Sequence, residues 1–425
     1  MKPPQDFVDN HSTIFQREAE IKLGKVSLPV EILLSEGGQL HLEISRTDFD
    51  TGSLESKVYQ EVTGTTKRGE QVIIKDLICI ADGNPSLNPQ VIEICESTDK
   101  IVRGEQITIH CDALGFQYKK PIFSNPDDNL KLLERTDWRV GGGNYADWSV
   151  AAKPLADYKT RVNSIQKYQN LVRTVRLEVS ISGVYGGMSR VAGVTDKILE
   201  KIQWASSFVQ GTVPSYSILK IIDDGEMEYI QLRNLSPNGG GYCRKSHLLL
   251  FMPQYELPSY LDRVFERYLE IEEQLELRKI LGFYVDSLHP NRPVNPKFAN
   301  LCIATEMLAK KYLPNQGSTK DQIKALIDEL DVQFMDLIPE NGSLRSQFDT
   351  ELEELSEQMT LEYFWYKSRN DVIHGGREVT TQEIIRDYQA LLVLLRRILR
   401  KILLQGDTDG LDRLNELEPA NFIFR

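Results

Sequence analysis

At 425 residues the chain is too long for one ordinary core, so it divides into two or three domains. Hydrophobic residues make up 41% and charged residues 26%, the balance of a folded globular protein and not of a disordered one. Fifty Lys and Arg against 62 Asp and Glu leave a net charge of −12, which excludes a diffuse basic surface; any nucleic-acid contact has to come from a local patch.

The five cysteines stand at 79, 95, 111, 243 and 302, with no Cys-x-x-Cys, which excludes a disulfide scaffold or zinc ribbon and points to a reducing compartment. The opening segment, MKPPQDFVDNHSTIFQRE, lacks the apolar core of a signal peptide, and no run of about eighteen uncharged apolar residues follows. A cytoplasmic protein without a membrane span is therefore expected. The Asn-x-Ser matches at Asn10, Asn234 and Asn341 then carry no meaning as glycosylation sites.

In chain order, residues from about 20 to 250 read mostly as β-structure. KVSLPVEILL, QLHLEIS, QVIIKDLICIA, QVIEICES, QITIHCDA, VRTVRLEVSIS, SILKIID, MEYIQLRN and HLLLFMP are the candidate strands, several alternating apolar and polar residues as half-buried strands do. Turn residues separate them at Glu36-Gly37-Gly38, Asp82-Gly83-Asn84-Pro85, Arg103-Gly104-Glu105 and Asp223-Asp224-Gly225. The segment 145–170, with Trp148 and Tyr158, fits neither period. The segment 195–209 reads as an amphipathic helix with Ile198, Ile202, Ala205 and Val209 on one face.

From about 257 the period becomes helical, with candidates at 257–287, 295–313, 318–338, 344–374 and 380–404, punctuated by Pro290, Pro293, Pro296, Pro314 and Asn341-Gly342. Short loops imply antiparallel neighbours in a bundle. The expected fold is a multidomain α+β protein: a β-rich sensor or regulatory domain over 1–254, then an all-α bundle over 255–425. Residues 251–425 carry a net charge of −9 and the first 250 a net of −3.

One helix carries a chemical constellation. Leu344, Phe348, Leu352, Leu355, Met359, Tyr363 and Tyr366 step by three or four residues and form one apolar stripe. At its last turn Asn370 falls near the centre of the stripe, with Arg369 on one edge and His374 on the other. Leu361, Phe364, Trp365 and Val372 make the remaining faces apolar, so an arginine here is costly unless it has a purpose. Gly375-Gly376 stops the helix, and Thr380 with Glu383 forms a capping box for the next one.

The segment reads R-N-D-V-I-H at 369–374. With the aromatic run EYFWYKS before it and the helix after it, it resembles the HEPN superfamily of α-helical bundles. Ribonuclease members of that superfamily carry Arg, a polar residue and then His near the end of the penultimate core helix; Arg369, Asn370 and His374 match those places. A β-rich first half, a helix near 195–209 and a C-terminal bundle together resemble the ApeA-type proteins of bacterial antiphage defence. The resemblance implies a homodimer that cleaves RNA, tRNA included, without metal or cofactor, in response to a phage-derived trigger. Arg369, Asn370 and His374 are then the catalytic residues, and Lys367 and Arg377 the RNA-binding ones.

The chemistry of these residue types is coherent with that expectation. RNA supplies its own nucleophile, the 2′-hydroxyl; histidine titrates near neutrality and moves protons, while the arginine fork matches two phosphate oxygens. One Arg and one His are half of an acid–base set, and a two-fold axis brings two halves together. Between Lys367 and Lys401 eight basic residues face four acidic ones, a local reversal of the domain's charge. Arg396, Arg397, Arg400 and Lys401 themselves read as a solvated face near a helix C-terminus, where cations complement the dipole. Leu391, Leu395, Ile398 and Ile402 of the same helix read as a core stripe and not as a membrane-surface face.

Other patterns fall short. Arg103 and His110 have a permitted spacing, but RGEQITIHC is a turn and a strand. Gly141–Gly143 and Gly239–Gly241 lack a following Gly-Lys-Ser/Thr, DTDGLDRLNELE has its glycine in the wrong place for a calcium loop, and His110-Cys111 and Cys243/His247 lack partners for zinc. Trp138, Trp148 and Trp204 read as core. Two alternatives stay open: a non-catalytic HEPN bundle that dimerises or binds a nucleotide, and a β-domain that binds carbohydrate, peptide or phage protein with the helices as an oligomerisation stalk.

Overall fold

The computed structural model describes residues 8–9, 11–45, 55–81, 86–96, 101–102, 107–114, 129–141, 144–168, 172–184, 186–223, 226–235, 257–289, 292–314, 317–332 and 381–405. It is a mixed α+β protein, strand-rich before residue 235 and helical after residue 257. It divides into two compact units: Met1–Gln203 with Val213–Tyr242, and Trp204–Thr212 with Cys243–Arg425.

The first unit is built on an antiparallel barrel. Strands β1 (Thr13–Leu23) and β2 (Val26–Ser35) form a hairpin around Gly24, whose φ of 63° suits a residue without a side chain. Then come β3 (Leu40–Ile44), β4 (Lys57–Thr66), β5 (Gln71–Ile80) and β6 (Ser86–Asn88). The order β5-β4-β1-β2-β3-β6, with β6 pairing back onto β5, closes a ring of six strands. Alternation sends Ile21, Leu23, Leu28, Val30, Ile32, Leu34, Leu40 and Leu42 into one core.

Strand β5 has two partners along one edge. Its first half pairs with β7 (Val91–Cys95) and its second half with β6, in a single continuous register. Asp76, at φ 49°, sits where the change occurs. Val72 and Ile74 before it and Leu77 and Cys79 after it are all buried, so the inward face switches from even to odd positions at that residue. A left-handed backbone in mid-strand makes such a change of face.

From β7 the sheet runs on through β15 (Glu226–Arg233), β14 (Ser215–Asp223), β9 (Ile107–Leu114), β12 (Arg173–Ser182), β11 (Asn144–Pro154) and β10 (Leu130–Gly141). The unassigned segment 145–170 resolves into β11 and a short helix, α1 (Tyr158–Tyr168), which packs on β12. A two-stranded ribbon joins β8 (Ile101–Val102) to β13 (Gly186–Gly187). The helix read over 195–209 is longer, α2 (Met188–Gln210). The strand read from HLLLFMP lies outside the described residues.

A buried charge cluster ties the barrel to this sheet. Glu36, in the turn after β2, is 3% exposed. Its carboxylate accepts from the Arg161 guanidinium of α1, from Arg173 Nη2 at 2.9 Å and from the Arg173 backbone amide at 3.2 Å. The glycines beside Glu36 marked the turn; nothing in the pattern marked the carboxylate as buried.

The second unit is helical. The stretch read as one helix over 257–287 is two, α3 (Leu257–Leu275) and α4 (Leu277–Ser287), broken at Glu276, whose φ is 51°. The Glu276 carboxylate there receives Lys279 at 2.9 Å and Lys311 at 2.8 Å. Next are α5 (Val294–Tyr312) and α6 (Thr319–Glu329), the latter started by a Ser318–Asp321 capping box. The last described helix is α7 (Thr381–Leu404). Helix α5 packs against α3, α4, α6 and α7, which makes it the centre of the described bundle. Among the described residues no helix is long and apolar enough to cross a membrane.

Candidate functional site

The sequence-nominated residues Arg369, Asn370 and His374, with Lys367 and Arg377, lie outside the described residues, as does the helix expected over 344–374. The described neighbour of that segment in the chain is α7. Its expected core stripe is in place: Leu391, Leu395 and Ile398 are fully buried and Ile402 nearly so.

Burial in α7 goes well beyond a stripe. Every residue from Gln389 to Leu399 is buried, Arg396 at 6% and Arg397 at 5% exposure. The reading of these two arginines as a solvated face is therefore corrected; Arg400 and Lys401 remain half-buried. Packing is the reason, since no side of this stretch of helix faces water. A buried guanidinium needs directed acceptors. Arg396 Nε donates to the Tyr284 hydroxyl oxygen at 3.1 Å, with the guanidinium 5.9 Å from the ring centroid. That hydroxyl donates to the carbonyl of Phe208 at 3.2 Å, in the last turn of α2. The cation thus meets the negative end of a helix dipole through one phenol. Close by, the Tyr388 hydroxyl donates to the Ser287 carbonyl at 3.1 Å and Ser287 Oγ to the Tyr284 carbonyl at 2.6 Å. Asp387, fully buried in the second turn of α7, adds a carboxylate to this interior.

The first unit holds a polar cluster that sequence reasoning passed over. Asp196 of α2 accepts from the Tyr216 hydroxyl of β14 and from the Arg233 guanidinium of β15. Arg233 is held in turn by Gln231 Oε1, at 3.1 Å from Nε and 3.0 Å from Nη2, and lies 4.6 Å from the Tyr216 ring centroid. Burial pushes the Asp196 carboxyl up to about 6, against the opposing pull of Arg233. An acidic residue four places after buried Ala192 was the one available signal; its partners are on strands twenty or more residues away.

His110 has the strand environment that alternation gave it. It is half-buried on β9, opposite Glu178 of β12 in register, with Nε2 3.6 Å from the Glu178 carboxylate. Arg103, Cys243 and His247 lie outside the described residues. Among the described residues no group of three His, Cys, Asp or Glu is arranged to hold a metal ion. Trp148 is core, at 2% exposure, and meets half-buried Trp138 edge-on with ring centroids 5.6 Å apart. Trp204 is half-buried, with the Arg278 guanidinium 5.8 Å from its ring centroid.

No protein-family model, curated protein or solved structure matches the chain.

Proposed function

We propose that the protein is a metal-independent endoribonuclease of the HEPN type, working as a homodimer in the cytoplasm in bacterial antiphage defence. The observation that supports this most is the sequence R-N-D-V-I-H at 369–374, at the close of a long apolar stripe and directly before Gly375-Gly376. A helical bundle with α7 buried on every side from Gln389 to Leu399 is a scaffold consistent with that reading.

In this mechanism an RNA phosphodiester lies between the His374 side chains of two subunits. One His374 takes the proton of the 2′-hydroxyl as its oxygen attacks phosphorus. The other gives a proton to the departing 5′-oxygen. Arg369 stabilises the extra negative charge on the pentacoordinate phosphorus, and Asn370 orients the imidazole or the phosphate by hydrogen bonding. Lys367 and Arg377 hold flanking phosphates. The products are a 2′,3′-cyclic phosphate and a 5′-hydroxyl. Two imidazoles serving one phosphodiester stand within about 10–15 Å of each other.

Incubating RNA in EDTA with the wild type and with His374→Ala tests the proposal. Cleavage by the wild type alone supports it. Equal cleavage by both, or none by either, favours a bundle that only dimerises or binds a nucleotide.

A further inference from the structure

The β-rich unit has an open stretch of sheet edge. Strand β4 pairs with β5 from Lys57, opposite Cys79, to Thr65, opposite Gln71. On its other side β1 pairs with it only at Gly64–Thr66. Carried on in that register, the last residue of β1, Leu23, reaches no further than Val62. Among the described residues, therefore, no strand pairs with Lys57–Glu61 on the side away from β5. All of these residues but Tyr59 are exposed. Apolar side chains gather here too. Val58 is 63% exposed and stands opposite Ile78, which is also exposed, as is Ile80 two places further along β5.

Bulges, prolines and charges commonly guard a sheet edge against pairing. Strand β10, at one end of the sheet order, is irregular in this way: its register against β11 shifts three times. The edge of β4 is not. Lys57–Glu61 contains no proline, and its register with β5 does not shift. Its two charges, Lys57 and Glu61, stand at opposite ends. That order selects the partner. An antiparallel copy of the same residues, centred on Tyr59, sets Lys57 against Glu61 and Val58 against Gln60, each twice. A parallel copy sets Lys57 against Lys57 and Glu61 against Glu61, which is unfavourable. We propose that Lys57–Glu61 pairs with the same segment of a second copy of this chain, about a two-fold axis at Tyr59, so that the sheet runs on from one protomer into the other. The paired stretch is short, so the contact is weak and concentration-dependent. It does not depend on what the helical unit catalyses.

Sedimentation velocity of the full chain over a range of concentrations tests it. Lys57→Glu sets two carboxylates against each other at both ends of the pair, and Glu61→Lys sets two ammonium groups there. Each is expected to weaken self-association by roughly tenfold. The double variant, Lys57→Glu with Glu61→Lys, restores both unlike pairs and is expected to associate as the wild type does. Both positions are exposed, so the barrel core is untouched by either change. A wild type that does not self-associate, an association that neither single reversal weakens, or a double variant that fails to recover it would overturn the proposal. So would recovery in either single variant on adding salt to the level that abolishes wild-type association, since screening cannot restore a pairing that charge order does not govern.

Discussion

Arg396 and Tyr284 are 112 residues apart in the chain and share a hydrogen bond of 3.1 Å inside the helical unit. The phenol oxygen accepts from the guanidinium and passes its own proton to the Phe208 carbonyl, so three helices meet at one hydroxyl. Deleting it leaves a buried cation and a helix-end carbonyl with one partner fewer. Tyr284→Phe is expected to destabilise the protein by about 1–3 kcal/mol, read as a lower urea midpoint.

Glu36 offers a sharper case. Its carboxylate lies against Arg161 and Arg173, whose side chains are only 15% and 12% exposed. Removing the anion takes the shared carboxylate from two largely buried cations. Glu36→Ala is expected to cost about 3–5 kcal/mol in chemical unfolding at neutral pH. Glu36→Gln, which retains an acceptor oxygen, is expected to cost less.

Barrel closure depends on a close approach between β1 and β4. Gly64 of β4 pairs with Ile21, and a Cβ at Gly64 would run into the Glu20 backbone carbonyl and come 3.0 Å from the Ile21 Cα. Backbone cannot swing aside as a flexible side chain does. Gly64→Ala is expected to lower stability by about 1–3 kcal/mol, with loss of exchange protection centred on β1 and β4.

Asp196 sets a pH dependence. Burial holds its carboxyl at about 6, above the ordinary 3.8, while Arg233 opposes the shift and Glu200 and Glu93 reinforce it. Between those values the folded chain binds more proton at this site than the unfolded chain does, so stability falls as pH rises through the window. The penalty is fully present above about 6 and is relieved as the pH drops towards 4, with a size on the order of 2–3 kcal/mol. Carbon NMR of the Asp196 carboxyl is expected to titrate near 6. A midpoint near 4 would show that Arg233 outweighs burial.

Where alternation was strong, the pattern sufficed. VRTVRLEVSIS became β12 because its apolar side chains share one face, and the apolar runs QVIEICES and SILKIID became β7 and β14, strands buried on both faces. Strand β1 escaped notice because Gln16, Glu18, Glu20 and Lys22 line its exposed side, Arg17 stands on its inward face, and full burial begins only at Ala19. Strand β4 escaped because its only buried residues are Val62 and Thr66. The α3–α4 break could not be read, since the apolar spacing runs through Glu276 and the interruption is a backbone torsion held by Lys279 and Lys311. Arg396 and Arg397 were misjudged for a related reason. Periodicity reports which face a helix buries first and not how many neighbours later cover the rest. Of the proposed catalytic residues, the sequence remains the source: Arg369, Asn370 and His374 all fall outside the described residues.

The most direct test of the proposed activity is the chemistry of the cut ends. RNA incubated with the wild-type protein in EDTA is expected to end in 2′,3′-cyclic phosphate and 5′-hydroxyl groups, with both absent when His374→Ala or Arg369→Ala replaces the wild type. Cleavage that needs added divalent metal, that leaves 5′-phosphates, or that persists in the His374→Ala protein would contradict it.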